Sequence, residues 1–118
     1  MFRVSTAFAA LMLLCAGAEA ASYGAIAFSP ETGAYGYSTR RDSRANAQEW
    51  AMYHCAENAW DCRIAVNFHN ACGAVARGGK GGWGTNWGYS RTEAQNNAMS
   101  ACRRRDSGCR VVVWACSK

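Results

Sequence analysis

The strongest constraint on this chain is that most of it is written twice. Ser43-Arg44-x-x-Ala47-Gln48-x-x-Ala51-Met52-x-x-Cys55 returns 47 positions later as Ser90-Arg91-x-x-Ala94-Gln95-x-x-Ala98-Met99-x-x-Cys102. The same offset carries Cys62-Arg63-Ile64-x-Val66 onto Cys109-Arg110-Val111-x-Val113. Upstream, Gly24-Ala25-Ile26-Ala27 matches Gly73-Ala74-Val75-Ala76, and Tyr35-Gly36-Tyr37-Ser38 matches Trp87-Gly88-Tyr89-Ser90 at other offsets, so loop lengths differ between the copies. Two copies are too few for a solenoid, in which each unit is buried by neighbours on both sides. The expectation is one pseudo-symmetric domain over 21–118, with one repeat over about 22–70 and the other over about 71–118.

Each copy reads as β-β-α-β, which makes the fold class α+β. Tyr23–Ser29 is a short apolar run, Pro30-Glu31-Thr32-Gly33 is turn chemistry, and Ala34–Thr39 alternates with period two, so a hairpin is expected. Asp42 or Ser43 can cap a helix over roughly 43–57, on which Ala47, Ala51 and Cys55 share one face. Arg63–Phe68 is a further alternating strand. In the second copy Ser90-x-x-Glu93 is a capping-box pattern, each side chain satisfying the other's free amide.

The first twenty residues follow a different grammar. Arg3 is followed by an almost wholly apolar stretch from Val4 to Leu14 and by the small-residue exit Ala18-Glu19-Ala20. This is the order of a secretory signal peptide, with cleavage expected after Ala20. Leu14 is too large for a lipidation site at Cys15. Losing this segment removes one of seven Cys and leaves Cys55, Cys62, Cys72, Cys102, Cys109 and Cys116, an even number that reads as three disulfides in an oxidising compartment. The duplication ranks Cys55–Cys62, Cys102–Cys109 and Cys72–Cys116 first, with the last bond expected to join copy to copy, although six Cys allow fifteen pairings. The same alignment sets Tyr23 against Cys72 and His69 against Cys116, so Tyr23 and His69 are expected to lie close together.

These residues resemble the domain of unknown function 4189, a family of small exported bacterial proteins. The likeness rests on Tyr23-Gly24-Ala25-Ile26-Ala27, on Tyr35-Gly36-Tyr37-Ser38, on the helix ending in Cys55, on Asn70-Ala71-Cys72-Gly73-Ala74, and on Cys109 to Trp114. It covers essentially all of 22–117. What it implies is the fold and export; it brings no catalytic motif to transfer. Envelope or secreted binding factors, including immunity partners of toxins, are the roles it suggests.

The residues themselves carry little chemistry. A nucleophile needs a neighbouring base and a group to orient that base, yet the chain holds two His, and its exported Cys are expected to be oxidised. His54 falls in the last turn of a helix and His69 at a strand end. With Lys80 they compose the best enzyme reading, a small secreted hydrolase of the ribonuclease kind acting by general acid–base catalysis, which requires both imidazoles to flank one phosphate. The carboxylates sit mostly at turns and helix starts. No metal or other cofactor is expected, because a zinc site wants Cys/His pairs two to four residues apart. Gly78-Gly79-Lys80-Gly81-Gly82 lacks the Ser/Thr and the helix of a phosphate loop and reads as a flexible hairpin loop.

Binding features are clearer. Trp83, Thr85, Trp87 and Tyr89 alternate with Gly82, Gly84, Asn86 and Gly88. The rings are expected to form core under a helix, with the glycines on the other face; exposed, they would make a stacking platform for sugars or bases. Trp83, next to the loop tip, is expected to be the most exposed. Arg103-Arg104-Arg105 closes the second helix and Arg110 follows the loop, where the first copy carries Glu57-Asn58-Ala59. Lys and Arg number 13 against 8 Asp and Glu, and losing Arg3 and Glu19 together preserves the excess. The resulting expectation is a secreted or periplasmic binding protein, not an enzyme, that meets a protein partner or an anionic envelope component through Lys80, Trp83, Arg103, Arg104, Arg105 and Arg110. Inhibition of a toxin or envelope enzyme is one concrete form. A polymer-binding module is the alternative to the hydrolase, and export leaves nucleic acid an improbable ligand.

Overall fold

The computed structural model describes residues 22–118; the leader reading over 1–20 and Cys15 lie outside them. Two three-stranded antiparallel sheets stand face to face, each with a helix on its outer side. The first is built from β1 (Tyr23–Phe28), β2 (Tyr35–Arg41) and β3 (Arg63–His69), in the order β2-β1-β3, with α1 (Arg44–Ala56) between β2 and β3 in sequence. The second comprises β4 (Ala71–Arg77), β5 (Trp83–Gly88) and β6 (Arg110–Ser117), in the order β5-β4-β6, with α2 (Arg91–Arg103) before β6. Among the described residues no helix is long and apolar enough to cross a membrane.

Strand alternation divides the interior into three strata. Ala25 and Ala27 of β1 pack under Ala47, Ala51 and Cys55 of α1. Cys72, Ala74 and Ala76 of β4 pack under Ala94, Ala98 and Cys102 of α2. The intervening positions, led by Ile26, Phe28, Val66, Phe68, Val75 and Val113, face inward and form the layer between the sheets. The helix-facing positions are small, so each helix lies close to its sheet. A Cβ on Gly36 would stand 2.3 Å from the Cys55 amide nitrogen, and one on Gly84 would stand 2.2 Å from that of Cys102.

That close approach reverses the expected placing of the aromatic rings. The helices occupy the glycine faces of β2 and β5. The rings project to the opposite face, at the outer strand of each sheet, where Tyr35, Tyr37, Trp87 and Tyr89 stay exposed. Trp83 departs from expectation in the other direction: it is half-buried, its ring 5.2 Å from that of Phe28 in the layer between the sheets.

The caps explain where the helices begin. The Ser43 hydroxyl accepts from the Asn46 amide and the Ser90 hydroxyl from that of Glu93, each at 3.1 Å. The expected capping box is only half made. Glu93 Oε1 accepts from the Tyr89 amide at 2.6 Å, one residue before the cap, instead of from that of Ser90.

All three disulfides have the pairing ranked first: Cys55–Cys62, Cys72–Cys116 and Cys102–Cys109. The first and last each bridge a helix end to the approach of the following strand. Cys72–Cys116 does not join copy to copy, since its residues are opposed partners on β4 and β6 of one sheet. At the corresponding place in the first sheet, Tyr23 opposes His69, and their rings stack 4.1 Å apart at 12°.

Two polar seams join the layers. Ser117 Oγ meets Ser22 Oγ at 2.8 Å and accepts the Arg40 amide at 2.7 Å. Arg77 reaches from β4 to the Pro30 carbonyl at 3.2 Å. Asn70 alone links β3 to β4, in the left-handed region with φ 51°.

Candidate functional site

The C-terminal end of α2 carries the basic edge. Arg103, Arg104 and Arg105 are exposed where the helix ends, and Arg110 is exposed at the start of β6. Arg104 and Arg105 line a cleft of about 250 Å³ with Trp83, Gly84, Thr85 and Ala101. The structure therefore brings Trp83 together with two of the three clustered arginines, by laying the last turn of α2 across the glycine face of β5. None of these arginines forms an ion pair among the described residues.

Lys80 is exposed at the tip of the β4–β5 loop, held to the same end of the molecule by Asp106. Asp106 Oδ2 accepts from the Lys80 and Gly82 amides, each at 2.9 Å, and Oδ1 accepts from the Ser107 amide at 2.7 Å. These bonds, the Ser107 amide first, outweigh partial desolvation and hold the carboxyl below its ordinary value. Asp61 plays the matching part in the first sheet. It accepts from the Ser29 hydroxyl at 2.5 Å and the Glu31 amide at 3.2 Å, and the Ser29 bond is the main reason its pKa is also lowered. Each carboxylate ties the hairpin loop of its own sheet to the helix–strand connection.

The two histidines do not converge. His54 lies in the last turn of α1, 3.7 Å from Glu57. His69 stacks on Tyr23 at the far end of β3, six residues beyond Arg63, where β3 leaves the end of α1 anchored by Cys55–Cys62. At about 3.3 Å per residue, that separates the two ends of the strand by about 20 Å. Lys80 belongs to the other sheet's loop. No phosphate is flanked by this trio as placed. Among the described residues no three His, Cys, Asp or Glu side chains group to hold a metal ion.

A second surface escaped the sequence reading. Trp50, Tyr53 and His54 cluster on the outer side of α1 with ring centroids 5.5 to 5.9 Å apart, and Arg41 lies 5.0 Å from the centre of the Trp50 ring. Beside them, Tyr35, Gly36 and Tyr37 of β2 form a cleft of about 420 Å³ with His54, Glu57 and Asn58. Helical spacing held the signal, since Trp50 and Tyr53 fall off the Ala47–Ala51–Cys55 face. Asn97 and Ser100 stand on α2 where Trp50 and Tyr53 stand on α1, so that helix has no such cluster.

Comparison with known proteins places this architecture. The family model of the domain of unknown function DUF4189 matches residues 23–116. The NMR structure of Rv1813c from Mycobacterium tuberculosis is similar with a TM-score of 0.59 and 32% identity, over 80% of this chain and 74% of that one. No curated protein matches. With nearly all of the described residues accounted for by one family model, the chain belongs to the DUF4189 family.

Proposed function

We propose that this is an exported binding protein, not an enzyme, built from two tandem β-β-α-β copies in one pseudo-symmetric domain. It recognises an acidic face on a protein partner at or outside the cell envelope. The observation that carries this reading is the cleft at the end of α2, which Arg104 and Arg105 line together with the half-buried Trp83. A cleft that combines Trp with guanidinium groups free of ion pairs among the described residues has the residue types enriched at interface hot spots. Arg103, Arg110 and Lys80 widen the positive edge and would speed encounter with an acidic surface. Occlusion of a toxin or an envelope enzyme is one form such binding takes. Three disulfides in a small domain fit an oxidising compartment and a secreted or periplasmic setting.

Affinity capture from native envelope and secreted extracts, using the oxidised protein, tests this reading. A stoichiometric protein partner is expected, its affinity falling steeply with added salt, and it is lost when Arg103, Arg104 and Arg105 are all changed to Glu. A partner whose binding ignores that charge reversal, or the absence of any partner at physiological salt, overturns the reading.

A further inference from the structure

We infer that the basic edge takes its partner as an extended acidic segment added to β5 as a further strand, an inference that rests on the protein-docking reading. β2, β3, β5 and β6 are the outer strands of the two sheets. Three of them are blunted in the way that natural sheet edges are, by a bulge and by charge. β2, β3 and β6 each carry one extra residue against the central strand, and they bear Arg40 and Arg41, Arg63, and Arg110. β5 differs. It keeps an unbroken register with β4 from Trp83 to Gly88, and its six residues include no charge and no proline.

The direction of the free amides follows from the ladder. Opposed antiparallel residues alternate between close pairs without hydrogen bonds and wider bonded pairs. Cys72 and Cys116 are of the close kind, with Cα atoms 3.9 Å apart, so Cys72 turns its N–H and C=O the other way, to Gly88. Gly88, Asn86 and Gly84 therefore bond β4, while Trp83, Thr85 and Trp87 point their amides outward. Trp87 agrees: its N–H donates to Asn86 Oδ1 at 2.9 Å, and its C=O accepts from Asn97 Nδ2 at 3.0 Å. Thr85 has no strand beyond it, and it lines the cleft with Ala101, Arg104 and Arg105. A strand laid there would take up the outward groups of Thr85, with main-chain bonds giving affinity and alternate side chains giving specificity.

Charge selects the occupant. Alternate side chains of an added strand point to opposite faces, one set toward the last turn of α2 and the other along the face of Trp83 and Trp87. On the first face Arg104 and Arg105 form no ion pair among the described residues, and on the second Trp87 is 43% exposed. The matching segment alternates acidic and apolar residues. A second copy of β5 is the poorer occupant, because it would bring Arg104 and Arg105 of both copies to one seam, where like charges repel.

A blocked heptapeptide of alternating valine and glutamate is the probe, titrated into the full oxidised protein while amide shifts and hydrogen exchange are followed. Saturable shifts along β5 are expected, with exchange of the Thr85 amide slowed about tenfold or more; docking through charge alone would not slow it. Methylating one alternate set of the peptide's amide nitrogens should abolish binding while methylating the other set is tolerated, since only one edge of the peptide meets β5. The lysine counterpart should not bind. Thr85→Pro removes an outward N–H and no bond to β4, so it should abolish peptide binding. Partner capture separates the two readings: a captured partner that is lost on the arginine reversal but kept by Thr85→Pro leaves the docking edge standing and overturns strand addition. Silence with the peptide overturns it too, as does binding that leaves the Thr85 exchange rate unchanged. A dimer that protects Thr85 without any peptide would assign the edge to a second copy instead.

Discussion

Gly36 and Gly84 decide where the helices sit. Each occupies a position where a methyl group would collide with helix backbone, which cannot rotate away as a side chain would. Gly84→Ala should therefore destabilise the fold by about 3 kcal/mol, the upper range for overpacking a close contact. For a domain of this size such a loss lowers the melting temperature by more than about 10 °C, and thermal unfolding of the oxidised protein measures it. The alternation of rings and glycines was legible in the sequence; the face the helix would take was not. Period two says which residues share a face, but not which face is covered. The missing signal lay in the helices, whose inward residues Ala47, Ala51, Ala94 and Ala98 are too small to reach across rings and need glycine opposite. The same reasoning applies at Trp83. Its nearness to the loop suggested exposure, but its inward register on β5, opposite Arg77, sets it on Phe28.

At the scale of elements, two carboxylates fasten two hairpins. Asp61 and Asp106 have pKa values below the ordinary 3.8. Their contribution to stability is fully present above that unfolded-state value and is lost as pH falls through the lower folded one. Amide resonances of Glu31, Lys80 and Gly82 should hold steady above about pH 5 and move together below 3.8 as the tethers release. Asp106→Asn should abolish the acid response of Lys80 and Gly82 and leave that of Glu31, which an NMR pH titration checks. The caps are separable from this, and Ser43→Ala or Ser90→Ala should each cost about 1 kcal/mol in chemical denaturation. The repeated spacing of Cys made the disulfide pairing readable in sequence. The stack of Tyr23 on His69 was readable for the same reason, as the partner of Cys72–Cys116 with different chemistry. Replacing both Tyr23 and His69 by Cys should consequently yield a fourth disulfide on oxidation, because the two positions are directly opposed on β1 and β3. Thiol titration and a non-reducing peptide map report whether it forms.

Across the whole molecule the two sheets meet over Phe68. Its ring lies over Gly24 of its own sheet and Gly73 of the facing one, each of which leaves room for it by having no side chain. Phe68→Ala should open a cavity in the layer between the sheets and cost about 4 kcal/mol; a urea midpoint far below that of the parent protein is the expected result. The Trp50, Tyr53 and His54 cluster could be read from helical spacing on α1, whereas the cleft beside it could not, because that is assembled from β2 and α1 and exists only once the helix has been laid on Gly36. The basic edge was half legible: the arginine run stands out in the chain, whereas its meeting with Trp83 depends on the crossing of α2 over β5. The contact between Ser22 and Ser117 has a further consequence. The two ends of the folded unit, Ser22 and Ser117, lie side by side, so that unit is topologically a nearly closed ring. A short peptide bridge across that gap, with new ends cut at the β4–β5 loop, would give a permuted order of the same elements. Segments joined at Ser22 and at Ser117 would leave the folded unit side by side.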